Sequence, residues 1–447
     1  MRLDGAARPV FAAALAIYAA TAGWLAWRTS VLEANSDMYD WVARWRQLQV
    51  DGDLGRYLWA PHNFHHLVWT FAVLALDMRV FGANGYLFLA VGLACLAAVA
   101  GMAAWAGSAA AGRGLRLLGG GVAAALCLTG CNVLDATSDI NTTYLHAVVF
   151  AVAAILLAAT PSRRPRLLLI AALVCAVAAG LGSAAGLAVW PALLFGAWRR
   201  RDTRAAAAIL VVGVGFGLLY LIGQSSHDVA GPGGGLARLG QASSLALNYL
   251  GLPWVRALPA LGWVLGAAVV VLSAGVLVFK ARRGAHWSEF AAVSLIVFTL
   301  TTALMAGAGR SGMISPSLVP MRYSIFLAPL HLGLWLVALP YLREACRRRP
   351  KSLRAWVVVA AVVMLAHQTM MAVFALRTAD VNLRVIADFR EGRRYPQMQP
   401  IVYGDLGHVL ALAGWMKRNG VYQTELRADP PRQVLSGLGI SASAPGP

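Results

Sequence analysis

The chain has 447 residues, of which 59% are hydrophobic and 13% are charged, about half the charged share of an ordinary soluble domain. Its 38 basic residues outnumber its 19 acidic ones, but they cluster between apolar segments, which argues against nucleic-acid binding and indicates membrane topology. These segments are about 20 residues long, the length of a helix that crosses a bilayer core of about 30 Å, and too long for barrel strands. The composition therefore predicts an all-α, polytopic membrane protein embedded in membrane lipids.

The basic clusters orient the predicted spans, because arginine and lysine clusters usually face the cytoplasm. Applied along the chain, this rule predicts about eleven transmembrane helices: residues 9–27, 86–105, 115–130, 141–159, 167–179, 185–198, 205–222, 261–279, 291–305, 323–340 and 356–374. Residues 64–81 carry Asp77 and Arg79, and a crossing there would place every later cluster on the wrong side. This segment is therefore predicted to lie in the plane of the outer surface or to re-enter the membrane.

The predicted topology divides the chain into two parts. Residues 1–376 form a transmembrane domain, whose first outer loop, residues 29–85, contains interfacial helices, and residues 377–447 form a short extracytoplasmic tail. Arginine greatly outnumbers lysine, which indicates a GC-rich genome and a bacterial cytoplasmic membrane. The five cysteines form no CxxC pair, so neither a disulfide framework nor a zinc site is predicted.

Acidic residues are densest just after the first span. Glu33, Asp37 and Asp40 are spaced at i, i+4 and i+7, so they would share one face of a helix. One interpretation is an interfacial helix with an exposed ion pair between Asp40 and Arg44. The other is a partly desolvated carboxylate that serves as a general base.

Three histidines follow within five residues: His62, His65 and His66, with Asn63 between them. Binding of a divalent metal would need carboxylate ligands from elsewhere in the chain. Hydrogen-bond donation to an anionic headgroup and a merely polar loop both remain open as alternatives.

Two later outer segments are also polar. Asp135, Asp139 and Asn141 either cap the next span or contact a substrate. Arg310 and Arg322, the latter followed by Tyr323, lie at outer helix ends, against the positive-inside trend. Their guanidinium groups either snorkel to lipid headgroups or bind a phosphate.

One reaction uses carboxylates, histidines and arginines together on the outer face of a membrane protein. A carboxylate deprotonates an acceptor hydroxyl, which takes the sugar from a polyprenyl phosphate, and cationic donors stabilise the departing phosphate.

The motif order resembles the GT-C-type integral membrane glycosyltransferases, including the protein mannosyltransferase-like and ArnT-like families, and in particular their uncharacterised bacterial members. The matching motifs are Asp37 with Asp40, Pro61-His62-Asn63-Phe64-His65, Phe81-Gly82, Asn141-Thr142-Thr143-Tyr144, the small-residue turn 183–191 and Arg322-Tyr323. One departure is Phe64, which stands where such relatives often carry glutamate, so a role of that glutamate is lost or has moved, for example to His66.

The resemblance implies an inverting transfer of a polyprenyl-phosphate-linked sugar to an envelope glycan, lipid or protein, with Asp37 as the base. The site hypothesis places Asp40 beside the base as an orienting or metal-binding partner. It assigns the donor phosphate to Arg322, Arg310, His65 and His66, and the remaining substrate contacts to His62, Asn63, Asp135, Asp139, Asn141 and Tyr323. A transporter or flippase of a lipid-linked sugar, and a structural membrane protein, remain as alternatives.

Overall fold

The computed structural model describes residues 7–222, 235–252, 261–281, 286–311, 319–348, 350–393, 406–423 and 431–437. Within these ranges the regular structure is helical, apart from an isolated bridge between His62 and His65. The helices are α1 (Ala7–Thr29), α2 (Met38–Asp51), α3 (Leu54–Trp59), α4 (Val68–Leu76), α5 (Tyr86–Ala111), α6 (Arg116–Cys127), α7 (Gly130–Ala136), α8 (Thr142–Ala159), α9 (Pro165–Gly180), α10 (Val189–Arg199), α11 (Thr203–Leu221), α12 (Gly235–Leu250), α13 (Gly262–Ala281), α14 (Trp287–Arg310), α15 (Ala328–Arg348), α16 (Pro350–Arg390), α17 (Leu406–Arg418) and α18 (Pro431–Gly437). Shorter turns are a π-helical turn, Asp77–Phe81, and the 3₁₀ helices Asp139–Asn141, Ala184–Ala188 and Met321–Leu327.

Eight stretches among the described residues are helices long and apolar enough to cross a membrane: Arg8–Thr29, Tyr86–Ala111, Asp139–Ala159, Thr203–Leu221, Gly262–Phe279, Trp287–Arg310, Met321–Arg348 and Ala355–Arg390. Each coincides with one predicted span. The polytopic helical class is therefore confirmed, whereas the predicted number of about eleven spans is not.

The other three predicted spans are short or bent: 115–130, 167–179 and 185–198. Helices α6 and α7 meet at 56°, because the Thr129 side chain starts a new helix by accepting a hydrogen bond from the Asn132 backbone N–H. Helix α9 has 16 residues, and α10 has 11 after a 3₁₀ helix that Ser183 caps. None of the three is therefore a single helix of 18 residues or more, although α6 and α7 together would make a ninth span.

The segment predicted to lie in the membrane surface is too short to cross as one helix. It consists of α4, with 9 residues, and the π-helical turn, with 5. Fourteen helical residues extend about 21 Å, less than a bilayer core of about 30 Å. The indole N–H of Trp69 donates to the carbonyl of Ala178 at 2.8 Å and holds α4 against α9.

Basic clusters gather at one end of the bundle, here called the basic end. Arg200 donates to the carbonyl of Ala158 at the end of α8, and its guanidinium lies 5.8 Å from the Phe290 ring centroid near the start of α14. Gly112, in the α5–α6 turn, lies close to the guanidinium of Arg343. These contacts agree with the predicted arrangement, in which successive clusters share one side.

The opposite end carries the first loop, residues 30–85, and is called the Asp37 end. A separate hydrophobic cluster there joins this loop to the C-terminal segment: Trp41 and Phe71 pack with Phe389 of α16 and Met416 of α17. The backbone N–H of Tyr422 donates to the carbonyl of Ala83 at 2.7 Å. The first loop and the C-terminal segment therefore lie on the same side, as predicted.

The predicted tail boundary at residue 377 falls inside α16, which is 41 residues long and continues to Arg390. No glycine or proline interrupts the helix after residue 374, and apolar residues such as Leu376 and Ile386 remain buried. The helix therefore extends beyond the predicted span and reaches the first loop.

Small residues allow the helices to approach closely. A Cβ added to Gly107 of α5 would overlap the carbonyl oxygen of Gly119 in α6. Helices in lipid associate through such contacts because burial of apolar surface contributes little there.

Candidate functional site

Asp37 lies at the break between α1 and α2 and directs its side chain to a histidine. It occupies the N-cap position of α2, yet its carboxylate makes no capping hydrogen bond. Its Oδ2 lies 3.5 Å from Nε2 of His62, and the two side chains are only 18% and 13% exposed. The carboxylate is therefore mostly buried and held by a side chain of the same loop.

The first loop departs from two sequence predictions. Glu33 was expected to share a helical face with Asp37 and Asp40, but residues 30–37 are not helical, and Ser36 has a φ of +50°. Glu33 instead lies 3.9 Å from Arg390. The predicted ion pair between Asp40 and Arg44 is also wrong.

Arg44 turns away from Asp40 because backbone carbonyls and an aromatic ring engage its guanidinium. It donates to the carbonyls of Arg56 at 3.1 Å and Ala60 at 2.6 Å, and its Cζ lies 4.1 Å from the Phe71 ring centroid. Asp40 remains beside Asp37 and His62.

A tight turn sets the positions of the first two histidines. His62 and His65 exchange two backbone hydrogen bonds of 2.8 Å around Asn63 and Phe64, whose φ angles are +46° and +67°. Asparagine suits this left-handed conformation, but a bulky residue such as phenylalanine adopts it at a cost of about 1–3 kcal/mol. The Asn63 amide lies 3.2 Å from Nε2 of His62. The turn therefore holds His62 and Asn63 beside Asp37.

His65 faces the same charged groups as Asp37. Its Nδ1 accepts a hydrogen bond of 3.2 Å from the Ala184 backbone N–H, in the small-residue turn before α10. Burial lowers the pKa of His65 to about 3, and the charges of Arg310 and His62 act in the same direction. At neutral pH the ring is therefore uncharged, with its proton on Nε2.

Arg322 and Arg310 lie close enough to Asp37 to act on its charge. Arg322 belongs to the 3₁₀ helix before α15, and Arg310 is the last residue of α14. Burial favours the neutral form of Asp37, but the hydrogen bond and charge of His62, together with these two arginines, outweigh it. The pKa of Asp37 therefore falls below its ordinary value.

No carboxylate of the described ranges forms an ion pair within 4 Å of Arg322 or Arg310. The Nε of Arg322 is buried without a hydrogen-bond partner. Two guanidinium groups therefore lie near the Asp37 carboxylate without a carboxylate of the described residues in ion-pair contact. This balance of charge suits an anionic ligand.

Asp37 and Asp40 differ in their ionisation. Burial raises the pKa of Asp40 above its ordinary value; the charge of Asp37 adds to this effect, whereas His62 and His408 oppose it. His408 belongs to α17, so the C-terminal segment lies over this edge of the site. Of the two carboxyl groups, Asp37 is the one that stays ionised most readily.

Asp135 and Asn141 belong to a buried hydrogen-bond network next to the segment that carries Arg322. Asp135 is buried and accepts hydrogen bonds from Asn141 at 3.3 Å and from the hydroxyl of Ser324 at 3.2 Å. Ser324 also lies 3.1 Å from the Asn132 side-chain oxygen. This buried network fixes the segment that carries Arg322 and Tyr323.

Two residues of the site hypothesis lie elsewhere. His66 is fully buried; its Nε2 lies 2.9 Å from the Tyr220 carbonyl, its Nδ1 faces the Trp59 carbonyl, and its ring stacks on Trp59. It therefore neither faces a phosphate nor replaces the glutamate expected at Phe64. Asp139 is buried too, and interacts with Asp77 and Glu33 instead of Asp37.

The sequence hypothesis omitted Tyr144, which the structure places among the site residues. Tyr144 interacts electrostatically with Arg322, Arg310 and Asp37, and its ring contacts Tyr323 at 5.5 Å between centroids. The signal was present in the motif Asn141-Thr142-Thr143-Tyr144, but only Asn141 was assigned to the site, because tyrosine is common at membrane interfaces.

Among the described residues, neither a metal centre nor the cavity beside α16 and α17 includes Asp37. In the part of the chain that the structure describes, no group of three or more His, Cys, Asp or Glu side chains is arranged to hold a metal ion. A cavity of about 790 Å³ lies between the first loop, α16 and α17, and is lined by residues that include Tyr39, Arg384 and Lys417. Asp37, Arg310 and Arg322 are not among the residues that line this cavity.

No protein-family model, curated protein or solved structure matches the chain.

Proposed function

We propose that the protein is a GT-C-type glycosyltransferase that moves a sugar from a polyprenyl-phosphate donor to a cell-envelope acceptor. The observation that carries this proposal is that Arg322 and Arg310, from distant parts of the chain, lie close enough to the mostly buried Asp37 to act on its charge. A base beside two phosphate-binding groups, at one end of a helical membrane bundle, fits a reaction whose donor is a lipid phosphate.

Each residue has a defined role in the proposed reaction. The Asp37 carboxylate takes the proton of an acceptor hydroxyl, whose oxygen then bonds to the anomeric carbon of the sugar. The bond from that carbon to the phosphate oxygen breaks, and its electron pair stays on the phosphate. Arg322 and Arg310 stabilise the added charge, and His62 orients Asp37.

Donor binding would also strengthen the base. Both arginines act on Asp37 and favour its ionised form. A bound phosphate offsets their charges, so the pKa of Asp37 rises while the donor is in place. The carboxylate then accepts a proton more readily at the stage when the acceptor hydroxyl must lose one.

The distribution of charge supports a site outside the cytoplasm. Arg200 and Arg343 lie at the basic end, whereas Asp37 and Arg322 lie at the other. The positive-inside rule then directs the basic end to the cytoplasm and the Asp37 end to the outer face of the bacterial cytoplasmic membrane. Envelope acceptors and flipped polyprenyl-phosphate sugars are accessible on that face.

The test is the envelope glycan composition of cells that carry Asp37→Asn. The expected result is loss of a glycan modification at normal protein level, because an amide cannot take the acceptor proton. Asp51→Asn, at the other end of α2, is the matched control, since the contacts of Asp51 are exposed: an ion pair with Arg56 at 3.8 Å and a hydrogen bond from Gln47 at 2.7 Å. Unchanged glycans in the Asp37→Asn cells would refute the proposal.

The second candidate is a transporter or flippase of a lipid-linked sugar. It is favoured by the buried Asp135, Asp139 and His146, because ionisable residues at membrane depth often mark transport pathways. Membrane-impermeant periodate on intact Asp37→Asn cells separates the two functions. A transferase defect leaves the lipid-linked sugar in the outer leaflet, where periodate oxidises it, whereas a flippase defect leaves it protected inside.

A further inference from the structure

An aromatic cluster, here called the wall, surrounds Tyr323, the residue that follows Arg322. The rings of Tyr144 and Tyr323 meet edge to face, with centroids 5.5 Å apart and planes at 84°. Tyr323 packs in turn on Tyr249 at 5.6 Å, and Tyr144 contacts Phe326 at 5.8 Å. Helices α8 and α12 and the Arg322 segment each contribute to this wall, so its geometry depends on tertiary packing.

Tyr144 differs from the other two tyrosines in accessibility. Tyr249 and Tyr323 are buried, at 2% and 7% exposure, whereas Tyr144 is only partly buried. The Tyr144 hydroxyl makes no hydrogen bond to any residue that the structure describes, and it is not sealed from solvent. Its ring is therefore held in place while its hydroxyl is available to a ligand.

Tyr144 also lies at the junction of the proposed base and the proposed phosphate site. It interacts electrostatically with Arg322 and Arg310 and also with Asp37, and its ring contacts Tyr323, the neighbour of Arg322. In the proposed reaction the phosphate contacts the arginines, and the acceptor oxygen lies beside Asp37. The sugar must then occupy the space between them, next to Tyr144.

We propose that the Tyr144 hydroxyl contacts the transferred sugar beside the bond that breaks, and that it orients the sugar for attack. This inference rests on the proposed function and deepens it, because it assigns a sugar contact that is distinct from the phosphate contacts. Packing of the Tyr144 ring against neighbouring aromatic rings leaves few positions for its hydroxyl. A hydrogen bond from this hydroxyl to the sugar therefore forms with little loss of conformational entropy.

The test separates binding of the lipid phosphate from transfer of the sugar. Affinity for decaprenyl monophosphate, which carries no sugar, is measured by native mass spectrometry on purified full-length protein. The rate of appearance of the glycan product that Asp37→Asn abolishes is measured in cells at equal protein levels. The variants are Tyr144→Phe, Arg322→Gln and the control Tyr86→Phe, an exposed tyrosine at the start of α5.

We expect Tyr144→Phe to slow product formation by about tenfold or more, the cost of one hydrogen bond in the transition state, and to leave decaprenyl phosphate affinity within about twofold. Arg322→Gln should weaken both, and Tyr86→Phe neither. Weaker phosphate binding in Tyr144→Phe would show that Tyr144 only orients Arg322, and wild-type behaviour in both assays would show that it has no role. Either result overturns the inference alone, whereas an intact product in Asp37→Asn overturns the proposed function and the inference with it.

Discussion

Replacing Arg322 with glutamine should weaken binding of a lipid phosphate without disturbing the fold. Glutamine keeps part of the side-chain length and its polarity but removes the charge. Since no carboxylate of the described ranges pairs with Arg322 within 4 Å, the substitution leaves no such partner unpaired. The loss should therefore appear in ligand binding rather than in stability.

The expected size follows from the contact that is lost. A hydrogen bond to a charged group contributes about 1.5–3 kcal/mol, which corresponds to a roughly 10- to 150-fold increase in the Kd for decaprenyl phosphate. Arg310→Gln should act in the same direction. The double variant should lose less than the sum of the two, because both arginines contact the same phosphate.

The assay is native mass spectrometry or microscale thermophoresis with decaprenyl phosphate in detergent micelles. Arg347→Gln is the matched control, because Arg347 is an exposed arginine at the end of α15 and pairs only with Glu344 in the described structure. A Kd within about twofold of wild type for Arg322→Gln, or a larger loss for Arg347→Gln, would refute the assignment of the phosphate to the Asp37 end.

Three further results are expected. The pKa of Asp37 is below its ordinary value, so its interaction with His62 stabilises the fold above the unfolded carboxyl pKa of about 3.9. This stabilisation is lost as the pH falls through the lower pKa of the folded state. The difference in Tm between wild type and Asp37→Asn should therefore be present at pH 7 and shrink in acid. Equal differences at both pH values would contradict this sign. Asp135→Ala should lower the free energy of unfolding by about 1–3 kcal/mol and weaken decaprenyl phosphate binding, because it removes the hydrogen bonds that fix Ser324 beside Tyr323. A stable variant with normal binding would exclude this supporting role of Asp135. Tyr422→Ala should lower the free energy of unfolding by about 3–5 kcal/mol and expose the C-terminal segment to limited proteolysis, since Tyr422 is 1% exposed. The control Trp415→Ala, which loses a partly exposed contact with Arg46, should lower it by about 1 kcal/mol. Equal effects of the two substitutions would count against Tyr422 as the principal anchor of the C-terminal segment.

The sequence predicts the long spans well because their signal is local. About twenty apolar residues without a charge have few alternatives to a membrane helix, and Tyr86–Ala111 and Trp287–Arg310 follow this rule. The side of each polar segment also follows, since each span reverses the direction of the chain. Counting spans between the basic clusters therefore predicts that Asp37 and Arg322 lie at the same end of the bundle, although they are far apart in the sequence.

The details that the sequence did not predict depend on contacts between distant residues. Thr129 ends one helix and starts the next through a cap, a signal that hydrophobicity does not contain. Arg44 has two backbone carbonyls and a ring as partners, which outweigh a carboxylate four residues earlier. His66 is held by α11, and Asp139 faces Asp77. The place of these two residues in the sequence does not reveal which side chains they contact in the fold.

A density map of the full-length protein in lipid nanodiscs with decaprenyl phosphate tests most directly whether a lipid phosphate binds between Asp37 and Arg322. We expect headgroup density between the Asp37 carboxylate and the Arg322 guanidinium, with the Tyr144 hydroxyl at its edge. Headgroup density confined to the basic end, beside Arg200 and Arg343, would contradict it.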